Sequence, residues 1–194
     1  MKKAVLMVGV LAAGVGLVGC GGSTEGEARP SGGVTSSAAT GSGLAVDVPT
    51  SYNPCTDVPE GVLKSERLAK AVADNKTKAD GPNGTKWRGC SWVMSGGNGY
   101  ATSIQATNLT IPYIRANYFN DVHEITIAGR PAITARRSDT RASEVCSINV
   151  EMKGGSLEFQ IDNPPSRRET GHIDTCQLGV TLAEKVVPTL PAGA

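Results

Sequence analysis

Two histidines and one serine are the residues of this chain that could support nucleophilic catalysis. His123 lies beside Glu124 in an alternating segment, and His172 precedes the last predicted helix. Ser91 is the candidate nucleophile, but residues 89–93 lack the second glycine of a strand-to-helix nucleophile elbow. A hydrolase triad needs a nucleophile, a base and an orienting group that converge in space. The sequence therefore predicts no catalytic residue, and a hydrolase is the least favoured functional hypothesis.

The sequence also shows no motif for binding a metal ion, a phosphate group or a nucleic acid. The glycine-rich segments 81–84 and 96–99 precede strand patterns rather than a helix N-terminus, so they indicate turns. The net charge of +1 and the 4% aromatic content leave neither a basic surface nor stacking platforms for nucleic acid. We therefore predict no cofactor, no metal ion and no nucleic-acid partner.

The amino terminus has the pattern of an export signal. Lys2 and Lys3 precede the uncharged apolar run 4–18, which as a helix would reach roughly 22 Å, short of the bilayer core. The run ends in Leu17-Val18-Gly19-Cys20, which resembles the lipobox of bacterial lipoproteins. The sequence thus predicts a signal peptide over residues 1–19 and acylation of Cys20. The alternative is an ordinary secretory signal with an incidental cysteine.

The segment after Cys20 is predicted to be a tether. Glycine, serine and threonine make up 15 of the 23 residues from 21 to 43, too polar a composition to offset the entropy of ordering. We assign residues 20–50 to the lipidated cysteine and a disordered tether, and residues 51–194 to one globular domain. Such a protein would lie on the extracytoplasmic face of the cell membrane, held there by its lipid.

Four further cysteines predict two disulfides, because an even number in an exported chain favours pairing. There is no C-x-x-C motif, and the spacings do not fit a zinc site. Of the three possible connectivities we favour Cys55–Cys90 and Cys146–Cys176. Each of these bridges would join a strand of the sheet to the start of a terminal helix.

Hydrophobic periodicity predicts an α+β domain with an antiparallel sheet flanked by N- and C-terminal helices. Two helical pieces are expected within 54–73, the second capped by Ser65 with Leu68, Ala69 and Val72 on one face. Residues 75–85 are expected to form a loop. Strand pairs joined by short turns are predicted at 87–94 with 100–107, 122–128 with 131–137, and 145–152 with 156–162. Helices are predicted at 111–119 and 175–187, and alternation in the last strand predicts one solvent-exposed sheet face.

Arginines form the one charge cluster that could contact an anionic lipid headgroup or an acidic partner. The candidate residues are Arg130, Arg136 and Arg137. Acidic side chains such as Asp139 and Glu144 are interleaved with them, which favours a solvated surface instead.

Several motifs resemble an actinobacterial family of envelope lipoproteins with a four-cysteine domain of unknown function. They are Asn53-Pro54-Cys55, Gly89-Cys90-Ser91-Trp92, Ile127-Ala128-Gly129-Arg130-Pro131-Ala132, Cys146-Ser147-Ile148-Asn149-Val150 and the terminal helix that contains Cys176. The resemblance covers residues 53–191 approximately and implies an envelope lipoprotein without implying an activity. The order of helices and strands is also similar to the Mog1/PsbP sandwich, an analogy of fold alone.

These observations favour a lipid-anchored, non-enzymatic binding or accessory module of the cell envelope. Its partner would be an envelope protein or a lipid. The second hypothesis is a carrier or sensor of lipids or small molecules, which requires an apolar pocket, and a cryptic hydrolase is the third.

Overall fold

The computed structural model describes residues 43–117, 121–136 and 139–194. The helices are α1 (Pro54–Asp57), α2 (Glu60–Ser65), α3 (Ile111–Asn117) and α4 (Thr175–Val186). The strands are β1 (Leu68–Lys70), β2 (Lys76–Asp80), β3 (Lys86–Met94), β4 (Ala101–Thr107), β5 (Asp121–Ile127), β6 (Arg130–Arg136), β7 (Val145–Met152) and β8 (Gly155–Asp162). The predicted signal peptide, Cys20 and Arg137 lie outside the described residues.

The strands form one antiparallel sheet of eight strands in the order β1-β3-β4-β8-β7-β6-β5, with β2 also paired to β3. The three predicted hairpins are β3–β4, β5–β6 and β7–β8. Because β8 returns to pair with β4, the first and last hairpins join at the centre of the sheet. The predicted α+β fold with an antiparallel sheet and terminal helices is confirmed.

One side of the sheet, which we call the helical face, carries the main hydrophobic core. Its central side chains are Ile148 of β7 and Phe159 of β8, both fully buried. Helix α4 packs against them through Leu182 and Val186, and each such buried side chain contributes about 1.5–3 kcal/mol. Gly179 lets α4 approach closely, because a Cβ there would lie 2.0 Å from Ile148 Cδ1.

Both favoured disulfides are present, and each joins a helix to the helical face. Cys55–Cys90 links α1 to β3, and Cys146–Cys176 links β7 to the first turn of α4. The side chain of Asn53 caps α1 by accepting a hydrogen bond from the backbone N–H of Cys55 at 3.1 Å. The short helix α1 is thus held by a cap and a covalent bond together.

The prediction of a second helix around Leu68 is wrong, since this segment is strand β1. Arg67 adopts a left-handed φ of 56°, which ends the helical path after α2. Leu68 then pairs with Met94 of β3 and buries its side chain. Val72, the third member of the predicted apolar face, is 63% exposed. Pairing with a distant strand outweighed the local helical pattern.

The prediction of a continuous loop over residues 75–85 is also wrong. Lys76–Asp80 pairs residue by residue with β3, from Lys76 opposite Cys90 to Asp80 opposite Lys86. The side chains of β2 are mostly exposed, so the strand has the polar composition of a loop. Charged residues are a common protection of edge strands against association.

Contacts of the domain begin before residue 51, within the segment assigned to the tether. The backbone N–H of Ala45 donates to the Asn108 carbonyl at 3.0 Å, and Asn108 Nδ2 donates to the Ala45 carbonyl at 2.9 Å. Pro49 is buried as well. Residues 43–50 therefore pack on the end of β4 and belong structurally to the domain.

Over the described residues, every helix falls short of the length and hydrophobicity that a membrane-spanning helix needs.

Candidate functional site

The side of the sheet opposite the helical face is polar, and we call it the polar face. An apolar cluster of Leu109, Ile111, Ile114 and Ile133 packs on part of this side, since Ile133 of β6 lies opposite Asn149. Alternation along the paired strands places the residues of two central rows there, from β2 to β7. They are Thr77, Gly89, Ser91, Ser103, Gln105, Glu158, Gln160, Ser147 and Asn149. The sequence predicts a solvent-exposed polar face. The face is polar at its centre, but the prediction of full exposure is wrong, because Gln105, Glu158 and Asn149 are buried.

A row of three polar residues crosses the centre of this face. Gln105 of β4 lies opposite Glu158 of β8, and Glu158 lies opposite Asn149 of β7. All three side chains are buried, with Glu158 7% and Asn149 1% exposed. Buried carboxyl and amide groups stabilise a fold only when they are hydrogen-bonded, so the partners of this row decide its role.

The carboxyl group of Glu158 is the one buried acid of the row. Burial raises its pKa above the usual 4.5, although hydrogen bonds from the Ser147 hydroxyl and the Trp87 indole partly oppose this. Trp87 can supply only its Nε1–H donor, so the indole ring is oriented by the carboxyl group.

Gln105 reaches across the sheet because the residue beside it has no side chain. Its Nε2 donates to Thr77 Oγ1 at 2.6 Å, passing over Gly89 of β3. A Cβ at Gly89 would lie 2.1 Å from the carbonyl oxygen of Ile104, closer than any real contact. The glycine therefore permits both the close pairing of β3 with β4 and the extended position of Gln105.

Asn149 has one polar group without a partner. The side-chain amide of Asn149 lies 3.1 Å from Ser156 Oγ, whose single hydroxyl hydrogen donates to the carbonyl of Leu109 at 2.8 Å. Its Nδ2 has no hydrogen-bond partner among the described residues, although the side chain is 1% exposed. A buried amide donor without an acceptor costs about 1–3 kcal/mol, which marks this position as one to explain.

The next row along the strands is more accessible. Ser91 Oγ and Ser103 Oγ lie 2.7 Å apart, and both side chains are half-buried. Gln160 follows on β8, opposite Ser103, and is half-buried too. The polar face thus has a buried row and, beside it, a row that reaches solvent.

The residues considered for catalysis do not form a catalytic site. The hydroxyl of Ser91 pairs with Ser103, while His123 Nε2 lies 2.7 Å from Asp121 Oδ1 on the exposed strand β5. His172 is exposed. Within the ranges 43–117, 121–136 and 139–194 no cluster of three or more His, Cys, Asp or Glu could hold a metal ion.

The two candidate arginines within the described residues are engaged inside the domain. Arg130 donates to the carbonyl oxygens of Pro191 and Ala194 at 3.2 and 2.5 Å. Arg136 Nη2 lies 2.5 Å from Asp174 Oδ2, and its Nε lies 3.6 Å from Asp121. Burial raises the pKa of Asp174, but the Gln177 amide and the charge of Arg136 lower it overall. Both arginines therefore have internal partners, and anionic binding stays a prediction.

A cleft of about 370 Å³ lies between residues 47–51 and the β7–β8 turn. Val48 and Pro49 line it together with the charged residues Asp47 and Lys153. Charged side chains in the lining do not suit the apolar ligand that the carrier hypothesis requires.

The pH dependence of stability gives a direct test of Glu158. The Glu158 carboxyl group loses its proton at lower pH in the unfolded chain than in the folded chain. The contribution of Glu158 to the free energy of unfolding is therefore complete below about pH 4.5 and decreases as the pH rises. Glu158→Gln keeps a neutral side chain of the same shape at every pH. We expect the variant to gain stability relative to the parent chain as the pH rises from about 4 to about 8, measured by urea unfolding.

Glu151→Gln, at the exposed end of β7, is the matched control for this charge change. A stability difference between Glu158→Gln and the parent chain that stays constant across this pH range would contradict the raised pKa of the buried carboxyl group.

Fold and site define a small antiparallel α+β domain, braced by two disulfides, with the main apolar core on one sheet face and a polar row beside a smaller apolar cluster on the other. The chain belongs to the DUF3558 family, described as proteins of unknown function, whose match spans residues 15–189. No curated protein and no solved structure shows a significant match.

Proposed function

We propose that this protein is an exported lipoprotein of the cell envelope, anchored through acylated Cys20, and that its domain is a non-enzymatic binding module. The anchor is supported by the Leu17-Val18-Gly19-Cys20 motif after an apolar run too short to span a bilayer. The two disulfides fit an oxidising compartment outside the cytoplasm. Two or more acyl chains hold a protein stably where one is marginal.

The polar face is the proposed binding surface. The observation that carries this proposal is the polar row Gln105–Glu158–Asn149, with the half-buried row Ser91–Ser103–Gln160 beside it. A row that served packing alone would be more stable with apolar side chains, because buried polar groups cost free energy unless they are satisfied.

A non-enzymatic role agrees with the partners of the reactive side chains. Ser91 pairs with another serine and His123 with an exposed carboxylate, so neither is part of a nucleophile–base pair. The carrier hypothesis stays second, because the cleft at residues 47–51 has charged residues in its lining.

Substitution of Cys20 tests the anchor. Cys20→Ala removes the thiol that would carry the lipid. We expect the amount of protein in the membrane fraction to fall at least about tenfold, with the protein recovered in the soluble extracytoplasmic fraction, because two acyl chains are lost. Ser23→Ala, three residues further along, is the matched control and should stay with the membrane.

Intact-mass spectrometry of the parent chain adds an independent measurement. We expect a mass that begins at Cys20 and includes the acyl groups. A chain that retains residues 1–19 and carries no fatty modification would refute the anchor, the compartment and the envelope location together.

A further inference from the structure

We propose that Asn83 is a site of spontaneous deamidation through the backbone nitrogen of Gly84, and that the product loosens residues 43–46 from the domain. The chain contains two Asn-Gly pairs, Asn83-Gly84 and Asn98-Gly99. A glycine after asparagine leaves its backbone nitrogen unshielded, because glycine has no Cβ. Both pairs have the same local chemistry, so the fold decides which of them reacts.

The reaction is an intramolecular attack followed by hydrolysis. The backbone nitrogen of Gly84 attacks Cγ of Asn83 and forms a C–N bond, while the Cγ–Nδ2 bond breaks and ammonia leaves with the proton of the backbone amide. The product is a cyclic succinimide. Water then adds to one of the two carbonyl carbons of the ring, which opens to aspartate or to isoaspartate. Water is the only co-reactant.

The first pair lies free in the turn between β2 and β3. Asn83 and Gly84 are both exposed. Among the described residues, neither the side chain nor the backbone carbonyl of Asn83 has a hydrogen-bond partner. The attack requires rotation about ψ of Asn83 from its value of 23°. This rotation breaks no hydrogen bond of Asn83 itself, so the fold adds little to the barrier.

The second pair is held by hydrogen bonds. Arg168 Nη2 donates to Asn98 Oδ1 at 3.2 Å, and the backbone N–H of Glu169 donates to the Asn98 carbonyl at 3.0 Å. Gly99 is buried, and a Cβ there would lie 2.2 Å from Met94 Sδ, so its backbone is closely packed. These contacts must open before the attack begins, so the second pair should react much more slowly than the first.

The turn that contains Asn83 shares a buried partner with residues 43–46. Asn108 Nδ2 donates to the carbonyl oxygens of Gly84 and Ala45, each at 2.9 Å. Asn108 is fully buried, so its amide group depends on these acceptors. Isoaspartate adds one atom to the main chain before Gly84 and thereby displaces the carbonyl that Asn108 binds. We therefore expect the attachment of residues 43–46 to weaken.

The consequence for an anchored protein is a longer tether. Residues 43–46 are the point at which the predicted tether reaches the domain, and each released residue adds at most about 3.4 Å of extended chain. This consequence rests on the proposed anchor at Cys20. The reaction at Asn83 does not depend on the anchor.

The experiment is timed incubation of the full-length, disulfide-bonded protein in detergent at mildly alkaline pH, followed by peptide mapping with mass spectrometry. Exchange of ammonia for water raises the peptide mass by one unit, and backbone fragment ions distinguish isoaspartate from aspartate. We expect conversion at Asn83 to be at least about tenfold faster than at Asn98, because the hydrogen bonds at Asn98 must break first.

Two controls separate the fold from the local sequence. In urea with both disulfides reduced, Asn83 and Asn98 should convert at similar rates. Arg168→Ala removes one hydrogen bond of Asn98 and leaves the other turn untouched. In this variant we expect the rate at Asn98 to rise roughly fivefold, the effect of one hydrogen bond, and the rate at Asn83 to stay unchanged.

Hydrogen exchange measures the loosening. The backbone N–H of Ala45 donates to the Asn108 carbonyl at 3.0 Å, so its exchange should be faster in the incubated protein than in fresh protein. Asn83→Gly is the matched control, because glycine adopts the φ of 58° without strain and has no amide to lose. Incubation should leave exchange at Ala45 unchanged in this variant.

The outcomes are distinct. Equal rates at the two pairs in the folded protein would overturn the proposed site, and so would an unreacted Asn83 after the unfolded chain has converted. Conversion at Asn83 with unchanged exchange at Ala45 would overturn the loosening of residues 43–46. Neither result bears on the proposed anchor, which the Cys20→Ala variant tests separately.

Discussion

Replacing Gly89 by alanine is expected to destabilise the domain by about 3 kcal/mol, near the upper end of overpacking effects. The added Cβ would lie 2.1 Å from the Ile104 carbonyl oxygen and 2.7 Å from the Cα of Gln105. Both are backbone atoms of β4, so no side-chain rotation relieves the contact. The pairing of β3 with β4 must open, and the bond from Gln105 to Thr77 is lost with it.

The measurement is thermal and urea unfolding with both disulfides intact, and the expected decrease in Tm is about 6–12 °C for a domain of this size. Gly61→Ala is the matched control. Gly61 lies in α2, and a Cβ added there would have no heavy atom within 4 Å, so alanine should be neutral or stabilise by up to about 1 kcal/mol. Equal stability of Gly89→Ala and the parent chain would contradict the close approach of β3 and β4.

The elements with strong periodicity could be predicted from the sequence. The six strands β3 to β8 and the helices α3 and α4 have patterns that local chemistry and burial both support. Glycine turns such as Gly129, with φ of 80°, mark the hairpins between the strands. The disulfide pairing followed from the same elements, because each bridge joins a predicted strand to a predicted helix.

The outer strands β1 and β2 could not be predicted, since nothing local distinguishes them. Leu68–Lys70 contains good helix formers, and Lys76–Asp80 has one half-buried side chain among exposed ones. Their conformation depends on the unsatisfied edge of β3, to which both strands pair. Long-range pairing of this kind is invisible to a window of neighbouring residues.

The polar face is visible in the sequence only in part. Alternation in β8 indicates that Glu158 and Gln160 share a side, a pattern that is typical of exposure to solvent. The buried row requires the register of three strands, which brings Gln105 and Asn149 beside Glu158. A sequence signal exists in the repeated serine and glutamine positions of β4 and β8, but it specifies a side of the strand and not its burial.

Removal of the bridge between β7 and α4 is the second prediction with a large effect. The double variant Cys146→Ala/Cys176→Ala removes a bridge between cysteines 30 residues apart. Chain entropy predicts that the free energy of unfolding falls by roughly 3–4 kcal/mol. Cys146 is fully buried, and alanine leaves no unpaired polar group there. Urea unfolding of the double variant under non-reducing conditions measures the loss.

Removal of the other bridge is the comparison that isolates chain entropy from local packing. Cys55→Ala with Cys90→Ala opens a link of 35 residues, so its entropic effect should agree with the first within a few tenths of a kcal/mol. Hydrogen exchange then separates the two variants. Loss of Cys146–Cys176 should increase exchange in α4, since the bridge fixes the first turn that Asp174 caps.

Loss of Cys55–Cys90 should instead increase exchange around α1 and leave α4 protected, because α4 keeps its bridge and its contacts through Leu182 and Val186. Chain entropy predicts that each double variant loses several kcal/mol in the free energy of unfolding. A decrease below about 1 kcal/mol for either one would contradict the structural role of that bridge. So would peptide mapping that pairs Cys55 with any cysteine other than Cys90. The terminal helices cover the helical face, so the bridges that hold them stabilise the apolar core beneath.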